Sequence, residues 1–250
     1  MIKEFLSEFC RNIAEMKKYK FNIIFANLQI FIISYIFTKY FFADDKEVVF
    51  FMLIVWYFST HGLSNPTYIL EEEIFDRTIL NIVQSKTGIL KVMILRCLNT
   101  LLVDIIKAIP IFTFLYFFAN FNNSIVYNLH IKLMVIFLAI IDSYILGIFF
   151  STFVLFFKRF SGFISLTYYY ILFFGGIFRT IDDGYIFYIN KFLFPYINAR
   201  IIFENLAKNS DFYIGIFILL IQLVVFSLIS FLFFSKCLNK SIKNGDLYGI

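Results

Sequence analysis

Residues 71–91 read EEEIFDRTILNIVQSKTGILK. Three carboxylates, Glu71, Glu72 and Glu73, open the segment; Asp76 and Arg77 follow; Ser85, Lys86, Thr87, Gly88 and Lys91 close it. Between them Ile74, Phe75, Ile79, Leu80, Ile82 and Val83 recur at the three- and four-residue spacing of one helical face. The spacing predicts a short amphipathic helix. Apolar runs long enough to cross a bilayer flank it. The helix is therefore expected at the membrane surface, where another molecule can grip it.

Working outward, composition sets the class. The 250 residues are 61% hydrophobic and include 38 Phe. Mean hydropathy is +0.83. Soluble domains average about 45–50% apolar residues, so an ordinary soluble fold is excluded. The expectation is an all-α polytopic membrane protein forming one transmembrane domain over residues 1–250. The net charge of +5 is scattered between apolar runs and not gathered in a patch, which argues against a nucleic-acid partner.

Residues 1–20 pattern as an amphipathic helix lying in the interface. Ile2, Phe5, Leu6, Phe9, Ile13 and Met16 share one face; Glu4, Glu8, Arg11, Glu15 and Lys18 share the other. Six apolar runs follow, near 21–42, 48–70, 92–118, 133–157, 160–178 and 212–234. A span needs roughly 20 residues, so six transmembrane helices are expected. Between the fifth and sixth runs, residues 179–211 hold enough apolar residues for two short helices broken near Pro195. That predicts a re-entrant helical pair, whose non-helical backbone must be buried in protein.

Basic residues set the orientation. With the N-terminus inside, the inner segments hold Lys3, Arg11, Lys17, Lys18, Lys20, Arg77, Lys86, Lys91, Arg96, Lys158, Arg159, Lys236, Lys240 and Lys243. The outer ones hold Lys39, Lys46, Lys132, Arg179, Lys191, Arg200 and Lys208. Fourteen against seven places both termini, and residues 71–91, in the cytoplasm. Cys10, Cys97 and Cys237 have no metal spacing and are expected as free thiols.

Charges inside apolar runs are costly. Asp104 and Lys107 lie in the third run, and Asp142 in the fourth. These three are expected to meet one another or to line a wet cavity, as an intramembrane polar element. His61, Asn65 and Pro66 interrupt the second run, where His61 reads as a packed polar residue. With His130 as the other histidine, no His-based metal site is expected. Tyr168, Tyr169, Tyr170, Phe173 and Phe174 read as helix-packing aromatics.

Glu72-Glu73-Ile74-Phe75-Asp76-Arg77 has the form E-E-x-x-x-R and resembles the signature of CAAX-type intramembrane proteases. That signature needs downstream F-x-x-x-H and H-x-x-x-N elements. Here His61-Gly62-Leu63-Ser64-Asn65 lies upstream, and His130 fits neither spacing. The protease is a minor alternative.

A broader pattern is similar to the ABC-2 family of ABC exporter permeases. It comprises the amphipathic N-terminal helix, six runs, an acidic segment between the second and third, and a long mouth loop before the last. In that family the segment runs acidic residues, Gly-Thr-Leu-Glu, Leu-Leu, Ser-Pro or Thr-Pro, then a basic residue. Here the counterparts are Glu71-Glu72-Glu73, Arg77-Thr78-Ile79, Ile82-Val83, Ser85-Lys86 and Lys91, with Arg77 where Gly is usual and Lys86 where Pro is usual. Phe194-Pro195-Tyr196 and Arg200 echo the mouth segment.

The resemblance implies the transmembrane subunit of an ATP-driven exporter in a bacterial cell membrane. No G-x-x-x-x-G-K-[ST] occurs and no Gly precedes a Lys, so no cofactor is expected on this chain, and ATP and Mg belong to a separate ATPase subunit. Glu71, Glu72, Glu73, Phe75, Asp76, Arg77, Thr78, Ile79 and Ile82 would then form a coupling helix seated in that ATPase. Half a pathway implies a second permease subunit, as homodimer or heterodimer. The expected partners are these subunits, the lipid bilayer and an exported amphipathic or hydrophobic molecule such as a peptide, drug or lipid-linked compound. The alternative is a membrane immunity or binding protein that sequesters a toxin or peptide without transport.

Overall fold

The computed structural model describes residues 2–36, 46–84, 88–118, 127–177 and 184–245, with no strand among them. Ten helices occur in order among these residues: α1 (Ile2–Lys18), α2 (Lys20–Ile36), α3 (Lys46–Phe75), α4 (Ile79–Gln84), α5 (Ile89–Phe118), α6 (Leu129–Phe157), α7 (Ser161–Phe174), α8 (Tyr185–Leu193), α9 (Pro195–Ala207) and α10 (Tyr213–Asn244). Helices α3, α6 and α10 are long and apolar enough to cross a membrane. Residues of α1 and α2, bent by 88°, make a fourth if taken as one span. The chain is an all-α membrane protein. Helix α5 matches α3 in length, 30 residues, and carries Lys91, Arg96, Asp104 and Lys107 along it.

The fifth apolar run is shorter than its composition implies. Helix α7 has 14 residues, about 21 Å at 1.5 Å per residue, which falls short of a hydrocarbon core of about 30 Å. The helix stops at Gly175-Gly176, where Gly176 takes a φ of +78°. Several sequence expectations fall on residues outside those described: the end of the first run (37–42), Arg179, and Ser85, Lys86 and Thr87 of the acidic segment.

Helix α3 is the axis of the molecule. It packs on α6, α5, α9 and α7, and 72% of its most apolar 18 residues are buried, against 22% for α10. Its first turns are buried on every side, from Val48 to Leu53. The α3–α6 crossing is close enough that a Cβ on Gly147 would stand 2.3 Å from the Gly62 carbonyl oxygen and 2.9 Å from Pro66 Cγ. Small residues at crossings let membrane helices pack backbone to backbone. Two apolar clusters result. The larger lies around Val48–Phe58, Ala139 and Phe203. The smaller lies around Leu70, Ile74, Ile79, Met93 and Leu155.

Residues 185–207 form two short helices that break at Phe194-Pro195, with Pro195 in the first turn of α9. Proline suits that position because its missing N–H would be unpaired there anyway. Helix α9 is buried along most of its length, packed between α3, α6 and α10. Broken helices leave orphan carbonyls, and here polar side chains meet them. Asn198 Nδ2 donates to the Lys191 carbonyl (2.9 Å) and to Gln222 Oε1 (3.1 Å). Gln222 Nε2 donates to the Phe192 carbonyl (2.9 Å). Buried Arg200 donates to the carbonyls of Gly176 (3.1 Å) and Ile177 (3.3 Å) at the end of α7.

Candidate functional site: an acidic helix junction and an intramembrane polar cavity

The acidic segment is not one helix. Glu71, Glu72, Glu73, Ile74 and Phe75 complete the last turns of α3, and only Ile79–Gln84 form a separate helix, α4, of six residues. Between them the chain turns. The Thr78 N–H donates to the Glu73 carbonyl (3.0 Å), and the Arg77 N–H to the Ile74 carbonyl (3.2 Å). Arg77 sits at φ +60°. This bond pair around one left-handed residue is a Schellman ending, whose left-handed position is usually Gly.

The expected apolar stripe also divides. Ile74 and Ile79 are buried, 3% and 1% exposed, in the smaller apolar cluster, whereas Phe75 is 73% exposed. Leu80, Ile82 and Val83 are half-buried against the same cluster. Ile79 is therefore packed against the chain's own core, and Phe75 is the apolar side chain this turn leaves exposed. The sequence pattern marks an apolar face correctly but cannot say what lies against it.

The carboxylates divide in the same way. Glu73 is buried and forms an ion pair with Arg96 of α5, and it also accepts from the Thr78 hydroxyl. Glu71 accepts from the backbone N–H of Phe160 and from that of Ser161 (2.8 Å), at the start of α7. A carboxylate there meets both the unpaired first N–H groups and the positive end of the helix dipole. Glu71 and Glu73 thus lock α3 to α7 and α5. Glu72, Phe75, Asp76, Arg77 and Thr78 remain exposed. A groove of about 410 Å³ runs beside them, lined by Glu71, Glu72, Ile74, Phe75, Asp76, Lys158 and Arg159.

The second site lies between α1, α2, α3 and α5. Asp104 is the hub. Its Oδ1 is 3.3 Å from Lys107 Nζ, and its Oδ2 is 2.8 Å from His61 Nδ1. One helical turn away, Asn65 Nδ2 donates to Thr100 Oγ1 (3.1 Å) and to the Tyr144 hydroxyl (3.4 Å). Beside them is a cavity of about 390 Å³, closed on its far wall by Asn12, Met16, Tyr19 and Ile23. The expected pairing of Asp104 with Lys107 is present. The expected third member is not: Asp142 is 1% exposed, and neither carboxyl oxygen has a hydrogen-bond partner among the described residues. His61 takes its place. A single sequence shows that His61 interrupts an apolar run; it does not show that α3 and α5 turn His61 and Asp104 toward each other.

The protease-like residues stay apart. Glu73 lies twelve positions beyond His61 on α3, about 18 Å of helix rise. Among the described residues, no three His, Cys, Asp or Glu side chains gather as a metal site, and Cys10, Cys97 and Cys237 are unpaired. Comparison of the chain with protein-family models and with curated proteins returns no match.

Proposed function

We propose that this chain is the transmembrane subunit of an ATP-driven exporter, coupled to a separate ATPase through the exposed tip of the α3–α4 turn. One observation carries the reading. Glu72, Phe75, Asp76 and Arg77 project from a turn whose inner residues Glu71 and Glu73 hold two other helices, α7 and α5. Phe75, a large aromatic 73% exposed beside a groove, is the anchor such a docking surface requires. A push on this tip reaches α5 through Glu73–Arg96 and α7 through Glu71. Helices α3 and α5 also form two walls of the polar cavity, so rocking them would open or close it.

The left-handed Arg77 supports the resemblance to ABC-2 permeases. That family carries Gly at the corresponding position, and this backbone has the geometry that favours Gly. In this reading the helical bundle lies in a bacterial cell membrane with both termini cytoplasmic, and α8–α9 form a re-entrant pair at the external mouth. ATP and Mg sit on the partner ATPase, and a second permease subunit completes the pathway. The cargo is an amphipathic or hydrophobic molecule. Phe75→Asp and Glu72→Arg are the test, with the chain co-expressed beside an ABC ATPase encoded next to it. Both are expected to abolish co-purification and transport while the unfolding temperature is unchanged. Co-purification that survives both substitutions would overturn the reading.

A further inference from the structure

The polar cavity has a chemistry of its own, which stands on this chain alone and not on the export reading. Charges in an apolar bundle persist where they pair or face a wet cavity; here Asp104 and Lys107 pair beside a cavity lined by polar side chains. Asp104 is 5% exposed in its side chain, and both of its oxygens are engaged. A cation entering the cavity would have to displace Lys107 or His61 to reach it. What a guest meets instead is Lys107, 26% exposed, and His61, 31% exposed. Lys107 has three N–H donors and spends one on Asp104. Against the Asp104 carboxylate His61 Nδ1 is the donor, which leaves Nε2 of the neutral imidazole as an acceptor, so the spare donors facing a guest belong to Lys107. The Tyr57 ring, 4.8 Å from the imidazole between centroids, braces it from behind.

We propose that the cavity between α1, α3 and α5 binds the anionic head group of an amphiphile, with the free N–H donors of Lys107 facing the anion and Asp104, itself held by His61, fixing Lys107 in place. The wall supplied by Asn12, Met16 and Tyr19 belongs to the interfacial helix α1 and its junction with α2. A guest would enter from the membrane surface beneath it. The volume of about 390 Å³ lies at the low end for a ligand pocket. It accepts a head group and the start of a chain, not a whole diacyl lipid. Carboxylates and phosphates share this chemistry.

The test uses the full-length chain in nanodiscs of neutral phosphatidylcholine, without any ATPase. Failure here therefore leaves the coupling proposal standing. Radiolabelled decanoate, decyltrimethylammonium and decanol are titrated against empty nanodiscs. Decanoate is expected to bind at least tenfold more tightly than either of the others, and Lys107→Met to weaken it tenfold or more. Because Lys107→Met leaves Asp104 with one partner fewer, Asn12→Trp serves as a second variant that fills the cavity from its outer wall; it is expected to block decanoate in a folded protein. Nanodiscs containing phosphatidylglycerol separate two sources of the anion. Displacement of decanoate assigns the site to a membrane lipid, and undiminished binding assigns it to a free carboxylate. Equal binding of the cation or the alcohol, or decanoate binding unchanged in Asn12→Trp, would overturn the proposal.

Discussion

The carbonyl oxygen of Gly62 and the α-carbon of Gly147 approach so closely that a methyl group on Gly147 would lie 2.3 Å from that oxygen. This contact sets the spacing of α3 and α6, the most extensively packed pair in the bundle. It also fixes how α3 is rotated, with Gly62 against α6 and its neighbours His61 and Asn65 lining the cavity beside α5.

Gly147→Ala should therefore destabilise the bundle. The obstructing atoms are backbone and a proline ring, which cannot swing aside as a flexible side chain can. Overpacking of this kind costs about 1–3 kcal/mol. Thermal unfolding in detergent would show it as a lowered midpoint. Gly162→Ala is the control, because nothing lies within 4 Å of its added methyl; its midpoint should hold or rise.

Arg77 makes the opposite forecast. Its φ of +60° crowds the Cβ against the backbone, at roughly 1–2 kcal/mol for a non-Gly residue. Glycine removes that strain and loses part of the gain through the freedom of the unfolded chain. Arg77→Gly should raise stability by about 0.5–1 kcal/mol. An unfolding midpoint below that of the unmodified chain would show that the Arg77 side chain contributes more than its backbone conformation costs.

Glu73 and Arg96 should behave as a coupled pair. Glu73 is 9% exposed in its side chain and Arg96 is 28%. Arg96→Met leaves a buried carboxylate with one hydroxyl for company, and should cost about 3 kcal/mol. Adding Glu73→Leu removes the stranded charge and should recover about 1–2 kcal/mol. A double-mutant cycle on the unfolding midpoint measures this; strict additivity would show that the pair carries no coupling between α3 and α5.

Asp142 should be dispensable for folding. A buried polar group without a hydrogen-bond partner costs about 1–3 kcal/mol by mutational measures, and neither of its oxygens has one among the described residues. Asp142→Val should leave the unfolding midpoint unchanged or raise it. A raised midpoint would show that the carboxyl is not kept for packing. A clearly lowered midpoint would instead reveal a structural partner for it.

Much of this architecture was legible in the chain itself. Apolar runs of bilayer length, the charged amphipathic start and Pro195 between two short apolar stretches determine an all-helical membrane protein. They also place the α8–α9 break, since backbone chemistry and periodicity are local properties. The acidic stretch at 71–73 likewise announces where the polar surface begins. The tertiary structure decided what these residues face. In a soluble helix, polarity separates the inward side from the outward side. In a membrane helix both sides are apolar, because lipid and protein neighbours are equally greasy. The sequence therefore marks Ile79 and Phe75 alike as apolar, and only packing buries the first and exposes the second. It marks Asp104, Lys107 and Asp142 alike as charges in apolar runs, and only helix packing gives Asp104 to His61 and leaves Asp142 without a hydrogen-bond partner among the described residues.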